Sequence, residues 1–320
     1  MFIKSASHIG FSECSDLESW LTELEPIEQG QSLIEPDYKV LLNSRLLRRM
    51  SPILKLGSYA ALDTLTRVDA VPEAIIVGSG LGCSLDTLTF LNELNTNLDS
   101  ALSPTAFIRS THNTVAGQIA LLLKNQGYNM TFTQGSLSFE SALSDAQLAI
   151  KSGEINSALV GGIDELSEGL LELLIELAES NGLEAPVIGH GSNFFYLEKE
   201  GSEGDIEVVD VMSFHNGQNE TNIDGFLQRS GIDLSEVDLL LDGSSVEFAD
   251  VAYETPEIAT INYKQFCGEF FSASAFGMIM GYSMIKTEAN VGEDDTKPIK
   301  TILINTGFGK EQGLILLRKK

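Results

Sequence analysis

The stretch from Thr131 to Glu165, TFTQGSLSFESALSDAQLAIKSGEINSALVGGIDE, carries the decisive information about the fold. Its first residues read as a strand and QGS as a tight turn. LSFESALSDAQLAIKSG has the spacing of an amphipathic helix closed by Gly153, and SALVGG reads as a buried strand. A strand–turn–helix of this kind commonly displays a reactive side chain at the turn. Here the turn offers Gln134, Gly135 and Ser136, with neither histidine nor cysteine beside it.

Upstream, Ser51-Pro52 is a helix start, a capping residue followed by proline in the first turn. ILKLGSYAALDTL continues it with helical apolar spacing. AIIVGSGLG reads as a buried strand running into glycines, and Ser84 can cap the helix SLDTLTFLNELN. NTVAGQIALLLKNQG reads as a buried helix stopping at Gly127. Downstream, SNFFYLEKE and DIEVVDVMSFH look like paired strands and ETNIDGFLQRSG like a surface helix. VDLLLDGSS is a strand ending in a glycine turn, SASAFGMIMGYSMIK a helix of small and apolar residues, and TILINTGFG with LILLRK two strands around a glycine turn. EANVGEDDTKP (288–298) reads as an exposed loop.

This alternation argues for an α/β fold with helices covering the sheets. The echo between the two parts suggests a duplication. No linker divides the chain, so one domain over 1–320 is expected, with halves at about 1–200 and 201–320.

Composition narrows the function. The 320 residues are 43% hydrophobic with a mean hydropathy of +0.06, enough for a sizeable core. No apolar run reaches the roughly 18 residues a membrane span needs, and the opening MFIKSASHIGFSECSDLESW is not a secretory signal. A cytoplasmic protein is expected. The cysteines Cys14, Cys83 and Cys267 are too scattered for a metal set or a disulfide framework, so neither metal nor cofactor is expected. Twenty basic against 46 acidic residues give a net charge of −26, which repels nucleic acid and anionic membrane. Acidic surface helices such as DLESWLTELEPIEQ and DELSEGLLELLIELAES account for much of it. RLLRRMSPILK is the basic exception: Arg45, Arg48, Arg49 and Lys55 face either an anionic partner or an acidic helix. VGSGLG does not fit the GxGxxG spacing of a dinucleotide site.

The order of these motifs resembles the β-ketoacyl synthases, condensing enzymes of the thiolase fold, over nearly the whole chain. VGSGLG is similar to their early glycine turn and THNTVAGQIA to the helix before the nucleophile strand. AIKSGEINSALVGGIDE is similar to the end of the nucleophile helix and the strand after it, GHGSNFFYLEKE to the strand closing the first half, and NTGFGKEQGLILL to the terminal glycine turn. PDYKVLLNSRLLRRMSPILKLGSYAALDTL further resembles the subgroup of aryl-polyene and flexirubin pigment synthesis. The resemblance implies a layered α-β-α-β-α fold with two pseudo-duplicated halves.

It also implies a cysteine nucleophile and two histidines, the second supported by a lysine. Counting back from Gly153, the nucleophile position falls on Ser136. Asp242 in LLLDGSS stands for the first histidine. In NYKQFCGEFFSASA, Lys264 is retained and Glu269 stands for the second. His8, His112, His190 and His215 lie in none of these positions. Serine needs a strong base beside it where cysteine does not. Ionised Asp242 and Glu269 cannot donate to an oxyanion, where each donor is worth about 2.7–4 kcal/mol. Plainer roles stand beside these: Ser136 or Ser138 as a helix cap, Asp242 as a turn residue, and Glu269 as the ion-pair partner of Lys264.

Within the family, chains that lost the cysteine act as chain-length factors, pairing with an active synthase and shaping its acyl tunnel. In those the nucleophile position is typically glutamine; here it is serine, with Gln134 two residues earlier. The resemblance implies a heterodimer with an active synthase, or a homodimer, and only indirect contact with acyl carrier protein. Phe107 to Asn113 and Asn129 to Thr133 match the region that meets the partner. Phe107, Asn113, Phe132, Phe139, Gly307 and Phe308 are the implied acyl-binding residues. A serine-dependent acyl hydrolase or transferase using Ser136, and a non-catalytic acyl-binding homodimer, are the rival readings.

Overall fold

The computed structural model describes residues 1–12, 17–96, 104–180, 185–215, 223–244, 258–289, 298–308 and 311–320; Cys14 and most of the 288–298 loop lie outside them. The chain runs β1 (Phe2–Ile9), α1 (Leu17–Trp20), α2 (Ser44–Leu47), α3 (Pro52–Thr66), β2 (Ala74–Gly78), α4 (Ser84–Thr96), α5 (Pro104–Arg109) and α6 (Thr114–Leu123). Then come β3 (Tyr128–Phe132), α7 (Ser138–Ser152), β4 (Ser157–Asp164), α8 (Glu168–Ser180) and β5 (Gly191–Glu198). The remainder is β6 (Ile206–His215), α9 (Ile223–Ser230), β7 (Leu239–Ser244), β8 (Thr260–Asn262), α10 (Lys264–Cys267), α11 (Ala273–Lys286), β9 (Thr301–Phe308) and β10 (Glu311–Lys319).

The strands lie in the order β3-β2-β4-β5-β1-β6-β10-β9-β7-β8. Two runs of five repeat one pattern. β3, β2 and β4 are parallel, with β5 and β1 added antiparallel. In the same way β8, β7 and β9 are parallel, with β10 and β6 added antiparallel. Among the described residues the strands of the two runs pair through Phe2–Glu207 and Ile3–Ile206. The expected pairing of β5 with β6 does not occur, because β1 lies between them. FIKSASHI hides its strand character: Ser5, Ser7 and His8 are polar yet buried, so the sequence shows no apolar alternation.

Helices fill three layers around the two runs. α3 packs against β1 and β5 and α6 against β2 and β3, closing one outer cluster around Ile53, Ile75 and Phe194. α9 covers the second run through Phe226, Leu240 and Leu316. α7 and α11 lie between the runs and touch strands of both. Their cluster holds Phe139, Leu143, Phe195, Phe276 and Ile304. Every residue of α11 from Ala273 to Ile285 is buried, as a helix apolar all round requires. Each such large side chain contributes about 1.5–3 kcal/mol. The architecture is thus α-β-α-β-α.

Local details depart from expectation. The proposed helix DLESWLTELEPIEQ shrinks to α1 and one tighter turn, and Trp20 is buried against His8 and Phe276. α6 stops at Leu123 rather than at Gly127, with Lys124 taking the left-handed cap at φ 53°. Ser51 precedes α3 without making a cap bond, and its hydroxyl has no partner. Ser84 is the first helical residue of α4; Glu165 accepts from Leu85 N–H at 2.9 Å and holds that helix start.

β3 ends the sheet. Its side chains alternate as the sequence suggests. Asn129 and Thr131 reach α6, donating to the Ala116 carbonyl at 3.0 Å and to Asn113 Oδ1 at 2.8 Å. Phe132 packs on the central cluster, while Tyr128 and Met130 remain exposed, at 40% and 39%.

Candidate functional site

The turn after β3 is built around a left-handed glycine, Gly135 at φ 56°. Ser138 braces it by accepting from Gln134 N–H at 2.8 Å and donating to the Gly135 carbonyl at 2.7 Å. The Gln134 side-chain oxygen accepts from the Ser141 hydroxyl. Neither Ser136 nor Ser138 caps α7, since Leu137 holds the N-cap position without a side-chain bond. Ser136 is 4% exposed, and its hydroxyl donates to Glu311 Oε2 at 2.7 Å. That partner comes from β10, 175 residues away in sequence.

Asp242 and the Lys264–Glu269 pair occupy separate hydrogen-bond sets. Asp242, in β7, accepts from Ser244 N–H at 2.9 Å, from the Ser244 hydroxyl at 2.7 Å and from Asn305 Nδ2 at 3.1 Å. Lys264 Nζ donates to both oxygens of Glu269, at 2.8 and 2.7 Å. The Glu269 backbone is fixed against the 187–189 segment through Val187 and Gly189. Between these groups Tyr263 is fully buried, donates to Thr306 Oγ1 at 3.1 Å, and fills the space that Gly243 and Gly277 leave open. The carboxylate that accepts the Ser136 hydrogen bond is therefore neither Asp242 nor Glu269 but Glu311.

A second acid organises the layer. Asp164, at the end of β4, is fully buried and accepts four hydrogen bonds. They come from the Ser79 hydroxyl at 3.1 Å, Gly80 N–H at 2.8 Å, and the Ser272 N–H and hydroxyl at 2.7 Å each. It therefore ties the VGSGLG turn to the start of α11. Burial pushes its carboxyl upward against the pull of these donors. The glycines of VGSGLG allow this close packing: a side chain on Gly80 would collide with Phe271.

The histidines stay outside the turn. His8 bonds Asn193 Oδ1 at 2.7 Å and packs against Trp20 and Phe276; burial lowers it to about 4 despite the Asn193 bond. His190 packs edge-on against Phe11 and is lowered to about 4 by burial. His112 lies against Gly82. The side chain of His215 lies outside the described residues.

Of the implied acyl-binding residues, Phe139 is fully buried and packs against Phe195. Phe107 is 57% exposed and stacks on Phe90. Asn113 accepts from Thr131, and Gly307 lies beside Ser244 in the β7–β9 ladder. The Phe308 side chain lies outside the described residues. Sequence reasoning missed Glu311, Asp164 and Glu140. Only the place of Asp164 after the GGI strand end carried a signal; the other two depend on contacts between distant segments.

Arg45, Arg48 and Arg49 surround a surface hollow of about 570 Å³ with Asn43 and Leu46. All three are exposed, and none forms an ion pair among the described residues. No acidic helix covers them among the described residues. Arg109 of α5 donates to the Arg49 carbonyl and ties this patch to α5. Among the described residues no cluster of His, Cys, Asp or Glu could hold a metal, and no helix is long and apolar enough to cross a membrane.

The fold as a whole is matched by solved structures of known proteins. Residues 25–181 match the family model "Beta-ketoacyl synthase, N-terminal domain". Over this stretch, just under half of the chain, the sequence is that of a β-ketoacyl synthase N-terminal domain. Among solved structures, it is similar to the ishigamide ketosynthase/chain length factor, with 16% identity and a TM-score of 0.74, covering 100% of this chain and 98% of that one. A ketosynthase in complex with its chain length factor from Xenorhabdus doucetiae gives 14% identity and 0.74, covering 100% and 98%. A β-ketoacyl synthase from Burkholderia phymatum gives 13% and 0.73, covering 100% and 99%. At these identities the likeness concerns the fold. No curated protein matches the chain.

Proposed function

We propose that this chain is a non-condensing β-ketoacyl synthase-like subunit that acts as a chain-length-factor-like partner of an active synthase, in fatty-acid or polyketide-type synthesis of the aryl-polyene kind. The observation that carries the reading is the Lys264–Glu269 pair. Condensation by decarboxylation needs hydrogen-bond donors where the enolate charge develops. Here Glu269 is an acceptor that also occupies the lysine, and Asp242 is a second acceptor. Ser136 donates a hydrogen bond to a carboxylate and is buried. The repeated strand pattern supports reading one domain over 1–320, with halves at about 1–200 and 201–320.

The outward face supports a partner role. Among the described residues β3 ends the sheet with one backbone edge unpaired and no charged side chain, a state that exposed edges tend to avoid. Around it Phe107, Ile108, Leu121, Tyr128, Met130 and Leu148 are exposed. Pairing across a two-fold axis would cover them and extend one sheet into the next. The arginine patch by α5 supplies a local dock for an acidic carrier protein despite the net charge of −26, so contact with carrier protein is shared rather than left to the partner. The test is co-expression with a neighbouring active synthase, followed by size-exclusion chromatography and a product assay. Co-elution with altered product length supports the role; failure to associate removes it.

The Ser136–Glu311 bond favours one second reading, an acyl hydrolase or transferase with Ser136 as nucleophile and Glu311 as its base. Labelling by a fluorophosphonate, lost on Ser136→Ala, would establish it.

A further inference from the structure

We propose that Glu140 is a pH-operated latch on the Ser136 turn: protonated, it closes α7 against β10 and α11; ionised, it drives the start of β10 away and exposes Ser136. The latch concerns access to the turn and does not depend on the partner role.

Two buried acids lie on either side of the start of α11, and they differ in one respect. Asp164 accepts four hydrogen bonds. Glu140 is 0% exposed, and neither of its oxygens has a hydrogen-bond partner. The Ser274 hydroxyl of α11 and the Glu140 N–H lie beside the carboxyl and offset part of its burial, but neither carboxylate oxygen completes a hydrogen bond. On β10 the carboxyl packs on Gly313, where even a Cβ would come within 2.6 Å of Oε1. A charged carboxylate without donors is the form such a site disfavours most.

The position makes this an access question. Glu140 stands four residues after Ser136, about one helical turn along. Gly313 stands two residues after Glu311, on the same face of β10. One strand face therefore receives both contacts: the Ser136–Glu311 hydrogen bond and the Glu140–Gly313 packing. Release of the second loosens the first.

The charges around Glu140 set the direction. From β10, Glu311 opposes its ionisation. Lys264, at the start of α10, favours it, but both carboxylate oxygens of Glu269 already hold that ammonium. Tyr263 and the Ser274 hydroxyl bring no charge. Burial is the largest cause and raises the carboxyl to about 7 from 4.5. Because the closed state holds the proton more tightly, closure is strongest at low pH and weakens as pH rises through about 7.

The test compares thiol labelling of Ser136→Cys with and without Glu140→Gln, at pH 6 and pH 8. Thiol ionisation is common to both and divides out. The rate ratio, Glu140 retained over Glu140→Gln, should rise roughly tenfold across this range. A ratio that does not change overturns the latch. Should Glu140→Gln fail to fold, infrared spectra of Glu165→Gln decide the matter, since Glu165 is the other carboxyl raised to about 7. A protonated-carboxyl band that falls between pH 6 and 8 is expected; its absence at pH 6 overturns the proposal.

Discussion

Lys264 grips Glu269 through both carboxylate oxygens, and each side chain is only 10% exposed. A buried pair like this resists the loss of one member more than of both, because a lone buried charge has no compensation. Glu269→Ala should lower stability by about 3–5 kcal/mol. Lys264→Met combined with Glu269→Leu should restore most of it. Urea unfolding of the single and double variants measures the difference.

The same pair bears on chemistry. Ser136→Cys supplies a thiol but leaves Glu269 and Asp242, both hydrogen-bond acceptors, unchanged. Neither the unmodified chain nor Ser136→Cys should release carbon dioxide from malonyl thioesters above background. A measurable condensation rate from the unmodified chain would overturn the non-condensing reading.

Met130 and Phe132 separate assembly from folding. Both lie on the same side of β3, but Phe132 packs on the central cluster while Met130 is 39% exposed. Met130→Asp should abolish dimer formation and keep the circular dichroism of the fold. Phe132→Asp should lose both. Analytical ultracentrifugation of Met130→Asp measures the effect, and an unaltered dimer would place the interface elsewhere.

On the acid side the buried histidines govern. His8 and His190 stay neutral in the fold down to about 4, against 6.5 when unfolded. Their contribution is complete above pH 6.5 and is lost as pH falls through 4. His8→Gln should therefore make the pH dependence of stability between 6.5 and 4 shallower by about one proton. Thermal unfolding over that range checks it.

Local signals made the strand–turn–helix of 131–165 legible: Gly153 takes the left-handed cap at φ 80°, and α7 buries its apolar stripe. The pairing of Lys264 with Glu269, five residues apart, was legible as a local contact. What the sequence concealed depends on distant partners. Glu311 reads as one more surface acid until β10 carries it to Ser136. Glu140 reads as the polar face of an amphipathic helix, yet that helix has strands of two runs around it and leaves little polar face. β1 was missed because buried Ser5, Ser7 and His8 are satisfied or sheltered by the fold rather than by water.

The seam between the two strand runs has a consequence for connectivity. Val208 N–H donates to the Met1 carbonyl, Gly204 N–H to the Lys320 carbonyl, and Lys320 N–H to the Asp205 carbonyl. Residues 1 and 320 thus meet at the loop that carries the chain from one run to the other. A short flexible link from 320 to 1, with new ends opened at Ser202–Glu203, would exchange the order of the runs without moving a strand. Such a circular permutant should fold to the same architecture, since α7 and α11, not the covalent crossing, hold the two runs together.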